Sequence, residues 1–384
     1  MNLHITGDDK FIDFFIGDIE KMELTTSNDF VVYVREGRDL KYVKSKRIHK
    51  MTLNSAEWNI FFKENLEKYE RVFIHYFDGL LYDIIPLLPS NVKVIWCFYG
   101  NDGFLYFPEN YFLQKLTRRL SLAISDRRRG IPFKVFYPLF LLNRKIFLFT
   151  RRVKMRSAFR RVDYFANFLT SDFHLIRKKV GLQFKHVEVT LASLETIISM
   201  EASSQEQDQI SFGNSILIGN SATITNNHLD LFERLLTQDT KGRKIYCPLS
   251  YGNENYADII QERGREMFGA NFIPLVNFMK LDDYNAILKD CGYVFMNHDR
   301  TQGAGNIIVS LYNGAKVFLS NQSGIYHFLV NLGVKVFSIQ DDITVGDSIF
   351  VPLAETEVLL NRKLIFDYFN SEKHEKRLLT VLNV

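Results

Sequence analysis

The sequence predicts an α/β protein of two domains, each a parallel sheet with helices on its faces. Three observations carry that reading. Short β-branched and aromatic runs alternate with segments of helical spacing along most of the chain, the pattern of a parallel sheet. The 384 residues exceed what one core accommodates, so two are expected. Between Phe295 and Asn321 an apolar run breaks into a polar loop, His298-Asp299-Arg300-Thr301-Gln302, followed by Gly303-Ala304-Gly305-Asn306, a helical stretch and a second apolar run, which makes one βαβ unit. Glycines at such a turn let a bound group approach the backbone. The helix start offers unpaired N–H groups and the positive end of its dipole to an anion such as a diphosphate. Plain turn chemistry accounts for the same glycines equally well.

In chain order, Leu3-His4-Ile5-Thr6 is a short strand ending in Gly7-Asp8-Asp9-Lys10, and Phe11 to Met22 has helical spacing. Phe30 to Val34 is a β-branched strand. Ser55 is placed to cap a helix whose Trp58, Phe61, Phe62 and Leu66 share a face. Val72 to Phe77 is a strand, Leu80 to Leu88 a short apolar helix, and Val92 to Phe98 a strand closing on Tyr99-Gly100-Asn101-Asp102-Gly103. Ligands of parallel sheets bind beyond the carboxyl ends of the strands. There the first half offers Gly7 to Lys10, His75, and Gly100 to Asp102. The competing roles are a core histidine for His75 and a turn residue for Asp102.

The charge is uneven. Leu113 to Arg161 holds fifteen Lys and Arg and one acid, Asp126; it carries +14 and the rest of a chain of net charge +4 carries −10. Arg127, Arg128 and Arg129 precede the apolar runs of this segment, Arg144 and Lys145 interrupt them, and Arg151 and Arg152 follow. Charges so placed exclude a bilayer span but suit a chain lying on an anionic leaflet, where each cation contributes about 1 kcal/mol. A solvated pair of basic helices is the plainer reading. Nucleic acid is disfavoured, because the aromatics are clumped with aliphatics and not spaced for base stacking. Cys97, Cys247 and Cys291 are scattered, which argues against disulfides and a zinc site. The start, MNLHITGDDKF, has neither a basic n-region nor an apolar h-region, so no signal peptide is expected, and no run approaches the ~20 apolar residues of a spanning helix.

Asp163 to Val180 reads as strand and helix, and Lys185 to Leu191 as a further strand. The polar stretch Glu201 to Asp208 is the expected linker, which divides the chain into 1–200 and 210–355 with a helical tail over 356–384 that packs back on the first half. The second half opens on a strand at Ile216 and a Gly219-Asn220-Ser221 turn before Asn226-Asn227-His228, a second anion-binding candidate whose Asn226 also reads as an ordinary cap. Lys244 to Leu249 leads into Ser250-Tyr251-Gly252; a helix from Tyr256 to Phe268, a strand at Phe272 to Leu275, a helix from Leu281 to Cys291 and a last strand at Val334 to Phe337 complete the pattern. The acidic pairs Asp8-Asp9 and Asp282-Asp283 have no metal-like spacing, so no metal is expected.

Two such halves, with phosphate-suited turns in the second, form the outline of a GT-B glycosyltransferase, two Rossmann-like domains facing each other across a cleft. Particular residues are similar to glycosyltransferase family 56, the bacterial 4-acetamido-fucosyl transferases: His75-Tyr76-Phe77, Trp96 with Tyr99-Gly100-Asn101-Asp102, Ile218-Gly219-Asn220-Ser221-Ala222 through Asn226-Asn227-His228-Leu229, Pro248-Leu249-Ser250-Tyr251-Gly252, and Arg300-Thr301-Gln302-Gly303-Ala304-Gly305-Asn306. The chain departs from that pattern in its longer, more cationic segment 113–161 and in Cys97-Phe98-Tyr99-Gly100-Asn101-Asp102, where a Trp-Gly-x-Asp form is usual. The resemblance implies transfer of a sugar from a dTDP-linked donor to a polyprenyl-diphosphate-linked saccharide, at the cytoplasmic face of the inner membrane, without a cofactor or metal. Such a transfer needs a base for the acceptor hydroxyl if the anomer inverts, and Asp102 is the expected one, with His75 as rival or partner. Gly219, Asn220, Ser221, Asn227, Arg300, Gln302, Gly303, Gly305 and Asn306 would hold the diphosphate, and Tyr251 and Gly252 the base or ribose. A GT-B sugar-nucleotide epimerase and a non-catalytic membrane-surface scaffold are the competing readings.

Overall fold

Strand β1 (Asn2–Thr6) is buried at all five positions, which is what a parallel strand covered on both faces requires. Helix α1 (Phe11–Lys21) covers one face with Ile12, Phe15, Ile16 and Ile19, an i, i+3, i+4, i+7 stripe. Then come β2 (Asn28–Val34), β3 (His49–Thr52), α2 (Ala56–Glu64), β4 (Arg71–His75), β5 (Lys93–Cys97), α3 (Asn101–Phe104), α4 (Lys115–Arg127), α5 over 148–159, β6 (Tyr164–Ala166), α6 (Thr170–Val180) and β7 (Lys185–Val187). Ser55 Oγ accepts from Trp58 N at 3.1 Å, the expected helix cap. The helix expected over Leu80 to Leu88 is instead two separate 3₁₀ turns, Gly79–Leu81 and Ile85–Leu87; Pro86 lacks the N–H that would continue a helix. Edge strand β3 was not foreseen, for only Met51 of its four residues is buried and no apolar alternation marks it.

This computed structural model describes residues 1–9, 11–64, 66–108, 110–127 (backbone alone from 122), 146, 148–198, 213–240, 242–345 and 349–384. They form two compact units. The first comprises Met1–Phe107, Val135–Ser193 and Glu372–Val384; the second comprises Pro108–Lys134 and Leu194–Ser371. The basic segment is thus divided between the units, and the expected linker at 201–208 lies outside the described residues.

In the first unit seven parallel strands run in the order β3-β2-β1-β4-β5-β6-β7. In the second, α7 (Leu194–Ile197), β8 (Ser215–Ile218), α8 (His228–Leu235), β9 (Ile245–Pro248), α9 (Glu254–Phe268), β10 (Phe272–Leu275), α10 (Leu281–Asp290), β11 (Cys291–Met296), α11 (Ala304–Tyr312), β12 (Lys316–Leu319), α12 (Gly324–Asn331) and β13 (Phe337–Ser338) build a six-stranded parallel sheet of order β10-β9-β8-β11-β12-β13. Both orders reverse direction beside the first strand of the unit, and that reversal opens a ligand crevice at the carboxyl ends: between β1 and β4, and between β8 and β11. The predicted parallel α/β sheets are borne out. The single tail helix is not: α13 (Glu355–Phe369) and α14 (Ser371–Leu382) are separated at Asn370, whose backbone is extended. α13 packs on α11 within the second unit, whereas Leu378, Val381 and Leu382 of α14 join the core of the first. The three cysteines are free and buried.

Candidate active site

At the reversal point of the second sheet the Gly219 N–H donates to Phe295 O at 2.9 Å, which ties the loop after β8 to β11. Gly219 has φ +67°, and a Cβ there would come within 2.7 Å of both Asn226 Oδ1 and His228 Nε2, so only glycine fits. Asn226 is no ordinary cap. Its Oδ1 accepts from Asn220 N at 3.0 Å and from His298 Nε2 at 2.8 Å, and its Nδ2 donates to Ser221 O and Thr223 O, each at 2.9 Å. His298 and His228 are fully buried, which pushes both down to about 3 and keeps them neutral.

Around this scaffold the predicted residues form one network. Gln302 Nε2 donates to Asn220 Oδ1 at 2.8 Å, and Thr225 Oγ1 donates to Gln302 Oε1 at 2.7 Å. Arg300, nearly buried, donates through Nε to Thr225 Oγ1 at 3.2 Å and through a terminal nitrogen to Thr301 O at 3.3 Å. Asn220 Nδ2 donates to Tyr251 OH at 2.9 Å. Gly303 takes φ +64° just before α11 and packs against Asn220, with a Cβ position 3.1 Å from its Cγ. Helix α11 starts without a side-chain cap. Its first-turn N–H groups therefore have no partner within the helix, and the space beside Gly305 is open to 4 Å. A diphosphate would meet an arginine, an amide and a helix start there.

Three further residues of the expected set have their side chains engaged within the unit, and Asn306 was expected to act through its backbone. Ser221 is buried, donates to Thr223 Oγ1 at 2.9 Å and accepts from Gln302 Nε2 at 3.3 Å, so it joins the network from within the loop. Asn227, buried at φ +51°, donates to Phe112 O and Asn297 O, each at 3.1 Å, and accepts from Gln114 N at 2.9 Å. It is an internal tie. The Asn306 side chain donates to Tyr284 OH at 2.8 Å, joining α11 to α10.

The sequence reading missed Gln114 and Asp230. Gln114 and Asn297 pair their side-chain amides reciprocally at 2.9 Å, and Gln114 Nε2 also donates to Asp299 Oδ1 at 2.9 Å. Asp299 is held further by Ser320 Oγ at 2.7 Å. Asp230 caps α4 from another helix: it accepts from Leu116 N at 2.8 Å, Thr117 N at 2.9 Å and Thr117 Oγ1 at 2.7 Å. A partner more than a hundred residues away leaves no local signal, and an acid in the first turn of α8 reads only as a dipole partner.

Gly252 (φ +123°) holds the loop after β9 against this network. Ala222 N donates to Tyr251 O at 2.8 Å and Asn253 N to Ala222 O at 3.0 Å. A Cβ on Gly252 would lie 2.5 Å from the Ala222 carbonyl carbon, and backbone cannot yield there. Gly252→Ala should therefore destabilise the second unit by about 3 kcal/mol, combining a strained φ with overpacking. Urea unfolding followed by fluorescence measures it; a change below about 1 kcal/mol would mean that the loop relaxes freely.

In the first unit His75 is in the core, and both ring nitrogens are engaged, with His4 Nδ1 at 3.0 Å and Tyr99 OH at 2.8 Å. Burial, then the neighbouring His4, holds it well below the usual histidine range. It has no lone pair to offer a substrate. Asp102 is also buried. Its Oδ2 accepts from Phe77 N at 3.0 Å and Trp96 Nε1 at 2.6 Å. Its Oδ1 makes no hydrogen bond of ordinary geometry, although the Tyr99 and Asp102 N–H groups lie near enough to help hold the charge. Burial outweighs those donors and raises the carboxyl to about 6.

Of the cations assigned to a membrane face, Arg151 and Arg152 lie on α5; Arg128, Arg129, Arg144 and Lys145 and the Arg127 side chain lie outside the described residues. Helix α5 exposes Phe149 and Val153 beside Arg152, Lys154 and Arg156. Among the described residues no helix is long and apolar enough to cross a membrane, and no three His, Cys, Asp or Glu side chains group as a metal site would.

The family described as 4-alpha-L-fucosyltransferase, glycosyl transferase group 56, matches residues 133–373, more than half the chain. Among solved structures the chain is similar to sucrose-phosphate synthase from Thermosynechococcus elongatus, with TM-score 0.65, 10% identity, and 100% of this chain and 98% of that one covered. It is similar to HepE of Anabaena in complex with UDP and glucose, with TM-score 0.61, 8% identity, and 100% and 99% covered. A trehalose-6-phosphate protein of E. coli bound with UDP-2-fluoro glucose matches with TM-score 0.60, 11% identity, and 100% and 98% covered. At such identities the likeness is one of fold, and the fold is GT-B.

Proposed function

This chain belongs to glycosyl transferase group 56, the 4-alpha-L-fucosyltransferases, and from that premise we propose that it moves a deoxy-amino sugar from a dTDP-linked donor to a polyprenyl-diphosphate-linked saccharide. Transfer of a sugar follows from the family itself. The donor is the part supported by geometry. Asn220, Arg300, Gln302 and the start of α11 converge at the reversal point of the second sheet, where parallel sheets bind ligands. That one network carries the reading. The same donors would stabilise the diphosphate as it leaves, so the reaction we propose needs no metal.

The base we assign is Asp102, whose Oδ1 makes no hydrogen bond of ordinary geometry; His75 has both ring nitrogens engaged. A lipid-linked acceptor requires the enzyme at a leaflet. Phe149 and Val153 among the cations of α5 support attachment to the cytoplasmic face of the bacterial inner membrane as a peripheral protein.

The test is the thermal stability of the purified protein against dTDP, UDP, GDP and CMP. At a hundred times Kd a bound nucleotide stabilises by about 2.7 kcal/mol. A response to dTDP alone is expected. A response to UDP or GDP in its place would remove the dTDP-linked donor, and silence across the panel would remove the donor site from this network.

A further inference from the structure

The crevice of the first sheet opens between β1 and β4. A hydrogen-bonded chain of four side chains, Asn28, His4, His75 and Tyr99, leads up to it. One end of this chain fixes the direction of every hydrogen in it. The Leu24 carbonyl can only accept, so the Asn28 nitrogen 2.8 Å from it is the donor Nδ2. Asn28 Oδ1 then faces His4 Nε2 at 3.0 Å and receives its hydrogen. A neutral His4 is left with a lone pair on Nδ1, which lies 3.0 Å from His75 Nε2. His75 therefore carries its hydrogen on Nε2 and a lone pair on Nδ1, 2.8 Å from Tyr99 OH. Only the tyrosine can supply the hydrogen of that last bond. A proton added to either ring would turn the bond round. Burial prevents it, pushing His4 down to about 4 and His75 well below the usual histidine range.

Tyr99 follows the end of β5 and reaches over the end of β4 to His75. Its ring centroid is 6.0 Å from that of Phe11, the first residue of α1, so the half-buried ring spans the crevice. Burial above all holds its phenol well above the ordinary tyrosine range, and the hydroxyl keeps its hydrogen. That hydrogen points inward to His75. Toward a ligand the oxygen offers lone pairs alone. Thr6 lies opposite His75 across β1 and β4 and shares its face of the sheet; its buried Oγ1 has no hydrogen-bond partner.

We propose that Tyr99 reads a hydroxyl of the acceptor saccharide, with His4 and His75 as positioning residues that hold its own hydrogen inward. That the ligand is a saccharide rests on the transferase reading given above; the arrangement of hydrogens rests on the geometry alone. A sugar hydroxyl can donate to this oxygen. A group with lone pairs only, such as an ether or a carboxylate, finds no donor on Tyr99, and a site built for one hydroxyl rejects the analogue that lacks it.

The first measurement is nitrogen NMR of the full-length wild type carrying isotope-labelled histidine. Coupling across the N–H···N bond marks the two rings, and couplings to the ring protons tell Nε2 from Nδ1. The hydrogen of that bond is expected on Nε2 near neutral pH; a hydrogen on Nδ1 would overturn the arrangement. The second is titration calorimetry with the methyl glycosides of glucose, galactose, mannose and their N-acetylamino counterparts. The glycoside bound most tightly is compared with analogues in which each hydroxyl in turn is replaced by fluorine, which cannot donate. One replacement should weaken binding to the wild type about tenfold and to Tyr99→Phe less than about twofold. Replacements that weaken both proteins equally overturn the role of Tyr99. Tyr99→Phe leaves His75 Nδ1 without its donor, so its melting temperature should fall, and both proteins are titrated well below it. A wild type that binds dTDP but none of the glycosides overturns the proposal and leaves the donor reading standing. One that binds neither overturns both.

Discussion

Asp102→Asn should lower kcat by about 10²–10⁴ while the folded protein keeps its stability. The amide oxygen can accept from Phe77 N and Trp96 Nε1 as Oδ2 does, so the turn stays anchored. Only the proton acceptor is lost. The folded carboxyl sits at about 6 against an ordinary 3.8, so it binds its proton more tightly folded than unfolded. Its contribution to stability is full below pH 3.8 and is lost as pH rises toward 6. At pH 7 the wild type therefore holds a disfavoured charge, which the variant does not, and this offsets the cost of a buried amide group. In the wild type kcat should fall below about pH 6 as the base takes up its proton; in the variant that acid limb should vanish. The measurements are kcat against pH and the melting temperature. A variant that keeps more than about a tenth of kcat, or one whose kcat and melting temperature fall together, would make Asp102 an anchor and no base.

Arg300→Met should lower kcat/KM for the donor by about 10²–10³, the usual effect of removing one donor aimed at developing negative charge. Methionine keeps most of the buried volume and removes the charge and its N–H groups. The wild-type guanidinium is already fixed by Thr225 and the Thr301 carbonyl, so it loses little freedom when a diphosphate arrives. Steady-state kinetics with a thermal melt at each step separates chemistry from folding. Activity that tracks the folded fraction would reduce Arg300 to a structural cation.

The parallel sheets were legible because each strand's apolar run is bounded by a turn residue, and Gly219 and Gly303 mark the two turns of the second sheet that the proposed donor site uses. The site was legible in part. Asn220, Gln302 and Arg300 share one network because the reversal of strand order brings the ends of β8 and β11 together. Sequence could not foretell which way a side chain at those ends turns. Asn227 and Ser221 face inward, and His75 pairs with His4 across β1 and β4, neighbours 71 positions apart in sequence. Gln114 and Asp230 were invisible for the same reason: their partners are close only once the chain has folded.

Helix α14 gives the first unit a peculiar history. Leu378, Val381 and Leu382 fill its core, and His374, itself buried, joins Asp18 at 2.9 Å and Thr190 at 2.7 Å. During synthesis these residues leave the ribosome only after all of Leu194–Ser371. The nascent first unit must wait with an open apolar face while the second unit is made and folds, the reverse of the usual order in which the amino-terminal domain is finished first. A chain that stops before Glu372 is therefore expected to leave the first unit's core incomplete, with apolar surface of the kind that favours aggregation.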